Sequence, residues 1–194
     1  CDIKKIGVTN MLKKLSEMSL EELWELFPII LSEHQDYWAK WYEEEVSSLS
    51  VLLPKEQIVR ISHIGSTAIK EIWAKPIIDI LVEIERESNL KTIKDILVGN
   101  GYICMSQCEN RMSFNKGYTA NGFAQKVFHL HLRYAGDNDE LYFRDYLNMN
   151  SNAAKEYETL KLRLWKQYEH NRDEYTNQKT ELVARYTKQA KELF

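Results

Sequence analysis

Residues 1–18 carry no sustained hydrophobic period and read as irregular. Ser19-Leu20-Glu21-Glu22 then sets a hydroxyl three residues before a carboxylate, the capping box that opens a helix. Leu20, Leu23, Trp24 and Phe27 follow at helical spacing, and Pro28 marks a break or kink. Residues 29–50 return to the helical period. Trp38, Trp41, Tyr42 and Val46 fall on one side, and Glu43, Glu44 and Glu45 largely outside as a solvated face.

From Gln57 the period changes. Residues 58–64 are short and β-branched between Pro54 and Gly65, which predicts a strand. Residues 77–84, the most apolar run in the chain, predict a second. Residues 89–99 predict a helix after a Ser88 cap, ended by Gly99 and Gly101. Strands are predicted at 102–106, 112–115 and 123–134. Asp137 with Glu140 reads as a second capping box opening a helix over 141–149, and 151–193 read as helical through Tyr157, Leu160, Leu164, Tyr168, Leu182, Val183 and Tyr186. The order predicts an α+β fold, a small mixed sheet with helices packed on one face plus helical N- and C-terminal segments. No linker or repeat divides it, so residues 1–194 read as one domain: a helical part over 1–50, a core over 51–136 and C-terminal helices over 137–194.

Composition narrows the class. Seven Gly and three Pro in 194 residues are too few for the turns of an all-β sandwich or barrel. A net charge of −3 gives no global basic excess, which argues against a nucleic-acid partner. Neither a signal-peptide core nor an apolar run of membrane-spanning length is present, so the chain reads as cytoplasmic with no membrane partner. Cys1, Cys104 and Cys108 form no disulfide framework, and Cys104 and Cys108 have no second pair to make a zinc site.

Strand parity isolates the candidate chemistry. On 77–84, Ile78, Ile80, Val82 and Ile84 share a fully apolar face, and Asp79 and Glu83 lie on the other. On 123–134, Phe128, Leu130 and Leu132 share one face, and His129, His131 and Arg133 the other. If both apolar faces meet helices, Asp79, Glu83, His129, His131 and Arg133 line a common polar face. That face is either a cleft or a solvated surface with ordinary ion pairs. His-x-His with a carboxylate suits a metal or a phosphate. Glu83 is two strand positions too far along to share an ion with Asp79, which leaves Asp79, His129 and His131. Gly65-Ser66-Thr67 follows a strand directly, and such a turn can cradle a phosphate with backbone N–H groups and hydroxyls. Lys75, Arg133, Arg144 and Lys161 are candidate phosphate-facing cations. Arg111 and Lys116 lie near a hairpin within reach of a ligand. His34 and His170 sit on helical stretches.

His63-Ile64-Gly65-Ser66-Thr67-Ala68, followed by Ala74-Lys75-Pro76-Ile77-Ile78-Asp79-Ile80-Leu81-Val82, resembles the GrpB family of the nucleotidyltransferase superfamily. His129-Leu130-His131-Leu132, Phe143-Arg144-Asp145-Tyr146-Leu147 and Tyr157-Glu158-Thr159-Leu160-Lys161 resemble its later motifs. The resemblance spans residues 20–170 and implies a bacterial protein with a DNA-polymerase-β-like fold. It implies that Gly65, Ser66 and Thr67, with Lys75, Arg133 and Arg144, contact a nucleotide or other small phosphorylated ligand. Asp79, His129 and His131 would carry catalysis and hold a divalent metal, Mg²⁺, Mn²⁺ or Zn²⁺. The superfamily pattern is Gly-Ser, a spacer, then Asp-hydrophobic-Asp, and Ile77 stands where its first acid belongs. Three functions follow as expectations: metal-assisted nucleotidyl transfer to a hydroxyl, a catalytically inactive ligand-sensing or interaction module, or a metal-dependent phosphohydrolase.

Overall fold

A computed structural model describes residues 14–194, so the irregular reading of residues 1–13 lies outside the described residues. Five strands form one sheet: β1 (Ile58–Ile64), β2 (Ile78–Ile84), β3 (Ile103–Gln107), β4 (Arg111–Thr119) and β5 (Gly122–Tyr134), in the order β1-β2-β5-β4-β3. β2 and β5 run parallel, and every other neighbouring pair is antiparallel. The sheet is therefore mixed.

The alternating apolar positions explain why these strands meet here. Ile78, Ile80, Val82 and Ile84 join Phe128, Leu130 and Leu132 in the main core. Two helices cover that face: α2 (Tyr37–Leu52), through Trp38 and Leu49, and α3 (Leu90–Gly99), through Leu90, Ile93 and Leu97. On the opposite face Leu81 packs with Ile64 and with Leu141 of α4 (Asp139–Met149). There α4, α5 (Ser151–Tyr168) and α7 (Thr180–Leu193) close a second cluster around Ile69, Ile72, Tyr157 and Tyr186. A third cluster places Tyr175, on α6 (Arg172–Asn177), against Ile29, Leu31 and Leu164. The polar positions of β2 and β5 thus lie under the C-terminal helices.

The Ser19 capping box is present: Ser19 Oγ accepts from Glu22 N at 3.2 Å, and Ser19 N donates to Glu22 Oε2 at 2.7 Å, opening α1 (Leu20–Leu26). Four expectations are corrected. Residues 29–36 are not helical. Ile29 and Leu31 are buried and Ile30 is exposed, an extended alternation, and Ser32 bridges to Ala74 while Ile29 N donates to Glu169 O. The cap of α3 is Asn89, whose side chain accepts from Lys91 N and Thr92 N, not Ser88. Asp137 does not cap α4, because its carboxylate takes both Arg111 Nε and Nη2 at 2.6 Å. The helical stretch 151–193 is three helices, broken at residues 169–171 and 178–179. Among the described residues no helix is long and apolar enough to cross a membrane.

Candidate functional site

The parallel register sets Asp79 opposite His129 and Leu81 opposite His131. Both imidazoles therefore converge on one carboxylate oxygen: His129 Nδ1 lies 3.3 Å, and His131 Nε2 3.6 Å, from Asp79 Oδ1. Gly65 approaches the same carboxylate from the end of β1. Its φ is +71°, and a Cβ there would stand 2.2 Å from Asp79 Oδ2. Only glycine satisfies both the left-handed backbone and the close approach.

Proton positions follow from the outer partners. Arg172 Nη2 donates to the Tyr118 hydroxyl at 3.0 Å, so that hydroxyl donates to His129 Nε2 at 2.8 Å. His129 then carries its proton on Nδ1, toward Asp79. The Arg133 guanidinium lies 3.5 Å from His131 Nδ1, and a guanidinium only donates, so His131 turns Nε2–H toward Asp79. Burial alone would raise the Asp79 carboxyl, but the hydrogen bonds from His129 and His131 outweigh it and hold the group well below the carboxylate range. Burial pushes the His129 imidazole down, which keeps it neutral.

A ligating imidazole must present its lone pair to the ion. Here both lone pairs face away from Asp79, one taken by Tyr118 and the other by Arg133. Among the described residues no group of three or more His, Cys, Asp or Glu side chains is disposed to hold a metal ion. The predicted set Asp79, His129 and His131 is gathered in space, but its donor atoms do not fit one.

The other predicted site residues divide. Gly65, Ser66 and Lys75 line a cavity of about 180 Å³ together with Asp79 and His129. Thr67 is buried, and its hydroxyl is spent on Ile77 O at 3.2 Å and His63 Nε2 at 2.9 Å. The turn after Gly65 is a single 3-10 turn, Ser66–Ala68, without the length to carry a helix dipole. Arg144 donates to His63 O and to Asp145, both at 2.7 Å. Arg133 donates to Met112 O and Leu132 O near Asp137 and Glu140. Neither arginine lines that cavity. Glu83, expected on the same face, is buried and satisfied by Arg60, Gly136 N and Asn138.

In their place the C-terminal helices bring Tyr157, Lys161, Tyr175 and Lys179 to the cavity. Lys161 is fully buried, donates to Trp73 O and lies over the Tyr157 ring. Lys75 and Lys179 flank the Tyr175 ring, with Nζ 5.1 Å and 4.3 Å from its centroid. Burial, then the mutual repulsion of these cations, pushes Lys161 down to about 7 and Lys75 well below the lysine range. Burial lowers Lys179 to about 8 although Asp79 pulls it up. Lys179, Tyr175, Arg172 and Tyr118 carried no signal in the sequence beyond a charged or aromatic residue in a helical stretch or a strand. Ser66 Oγ meets the Tyr157 hydroxyl at 3.4 Å. A wider cleft of about 740 Å³ adjoins the cavity and shares Gly65, Asp79, Tyr157 and Lys179 with it.

Residues 28–189 match the model of the GrpB protein family. The chain is 38% identical over 161 residues to "Glutamate-rich protein GrpB" of Alkalihalophilus pseudofirmus, across 80% of this chain and 91% of that one. It is 32% identical over 161 residues to the Bacillus subtilis UPF0157 protein YqkA, covering 81% of this chain but only 46% of that longer protein. The crystal structure of the conserved protein GrpB from Enterococcus faecalis superposes with a TM-score of 0.71 at 29% identity, covering 83% of this chain and 96% of that one. A crystal structure of the Cid1 poly (U) polymerase gives a TM-score of 0.49 at 12% identity, over 76% of this chain and 46% of that one.

Proposed function

The chain belongs to the GrpB family, and from that premise we propose that it is a binding protein for a small phosphorylated ligand, a nucleotide among the candidates, held between Gly65-Ser66 and the C-terminal helices. One observation carries this reading. Lys75, Lys161 and Lys179 surround one small cavity, and among the described residues none of the three has a carboxylate within ion-pair distance. Gathering three cations around the single Asp79 carboxylate is costly, and an anionic ligand offsets that cost. Binding without turnover accords with Ile77 at the place of the first acid and with a donor set that does not fit a metal.

The test is thermal denaturation of the full chain with matched pairs, AMP against adenosine and glucose 6-phosphate against glucose. A ligand at about a hundred times its Kd adds about 2.7 kcal/mol, a rise of about 5–10 °C for a chain of this size. The phosphorylated member of at least one pair raises Tm and its partner does not. Equal effects within every pair refute the reading.

A further inference from the structure

We infer that the inner cavity is built for one phosphate group of a phosphomonoester and holds it without a divalent metal, its three lysines supplying the positive charge. This deepens the binding reading and rests on it. The first ground is size. The cavity of about 180 Å³ has ample room for one phosphate, a group of five heavy atoms, with its hydration.

The second ground is where the charges stand. Lys75 and Lys161 line the inner cavity, while Asp79 and Lys179 stand together at its junction with the wider cleft. A phosphate inside meets Lys75 and Lys161 and has Lys179 at its mouth. A second phosphate at the junction meets the Asp79 carboxylate, which offsets the Lys179 charge, so the interior is the better place for an anion. The rest of the ligand leaves through this junction. The cleft it enters has the volume of a small-molecule site and offers Phe143, Val183 and Ala184 among its walls.

The third ground is an orphan donor. Tyr175 is fully buried on the cavity wall, and its hydroxyl has no hydrogen-bond partner among the described residues. A buried hydroxyl is normally satisfied, and this one is an unused donor beside the cavity. Ser66 Oγ stands on the same wall, its one contact with Tyr157 long at 3.4 Å.

The experiment is isothermal titration of the full chain with inorganic phosphate and with inorganic tripolyphosphate, each in EDTA and each with Mg²⁺. Phosphate binds in EDTA, Mg²⁺ leaves its affinity unchanged, and tripolyphosphate binds more weakly. K179M and K75M each lower phosphate affinity about tenfold or more, the loss of one charge-assisted hydrogen bond. Lys179 is only half-buried, so K179M keeps the test decisive if K75M does not fold. Tripolyphosphate binding that requires Mg²⁺ overturns the metal-free inference and leaves the broader ligand reading standing. Phosphate binding untouched by K179M places the ion elsewhere and overturns the inference. No binding of either anion under any condition, with no AMP or glucose 6-phosphate effect on Tm, overturns both.

Discussion

At the scale of single residues, Gly65 and His63 show how tightly the turn before the site is determined. G65A must place a methyl group against Asp79 at an unfavourable φ. The expected cost is about 3 kcal/mol, read by urea denaturation, together with loss of phosphate binding as the carboxylate is displaced. His63 stacks on Tyr42, with ring centroids 4.7 Å apart and 9° between planes, and its pKa is lowered to about 4, chiefly by burial. The sign follows from linkage. Between about 4 and its ordinary value of 6.5 the unfolded chain binds a proton that the folded one refuses, so stability falls as pH drops through that window. H63Q removes this contribution, and its denaturation midpoint declines less between pH 6.5 and 4 than that of the parent. Asp79, His129 and His131 were legible as a set because strand parity is a local property. Their proton positions were not, because Tyr118, Arg133 and Arg172 decide them from β4, β5 and α6.

Among the elements, β2 and β5 were readable because their apolar positions alternate without a fault. A one-residue slip of β5 would turn both histidines into the core. The segment 29–36 misleads because Trp38, Trp41 and Tyr42 extend a helical period backward, while the backbone there pairs with Ala74. Asp137 fails as a cap for an equally physical reason: a two-pronged bond to Arg111 outcompetes a helix N–H. The start of β2 bears the departure from the superfamily pattern. Ile77 is 5% exposed, and its carbonyl accepts from Thr67. I77D does not restore a metal site. It adds a second carboxylate to the wall that Asp79 and the three lysines share, and it weakens phosphate binding. A stable I77D variant that gains Mg²⁺ affinity by calorimetry would contradict this account. At α1, S19A removes a complete capping box and costs about 1 kcal/mol, measured as a lower denaturation midpoint.

For the molecule as a whole, the lysine cluster imposes a pH dependence of opposite reach. Lys161 near 7 and Lys179 near 8 bind fewer protons folded than unfolded below the ordinary lysine value of 10.5. The ligand-free chain therefore gains stability from these groups as pH rises from 7 to 9. The groups facing them are Asp79, Glu158 and Arg172, with Tyr157 and Tyr175 as neutral neighbours. Phosphate favours the charged lysines, so its Tm increment is larger at pH 7 than at pH 9, and binding at pH 8 takes up protons. Calorimetry in two buffers of different ionisation enthalpy measures that uptake. A pH-independent increment would show that the lysines do not meet the anion. The cluster itself was only half legible. Lys75 and Lys161 sit in motifs, but Lys179 and Tyr175 enter only when the segment 172–180 folds back over Lys75, a contact across about half the chain that no local period encodes.

The parallel pairing of β2 and β5 also sets an order of assembly. Residues 85–121 must emerge between the two strands, and the cavity lacks its far wall until Tyr175 and Lys179 have followed. On a chain made from its N-terminus at about 5–20 residues per second, the Gly65 turn waits several seconds for its partners. A ligand can engage only a finished protein, and its binding reports that synthesis has passed residue 179.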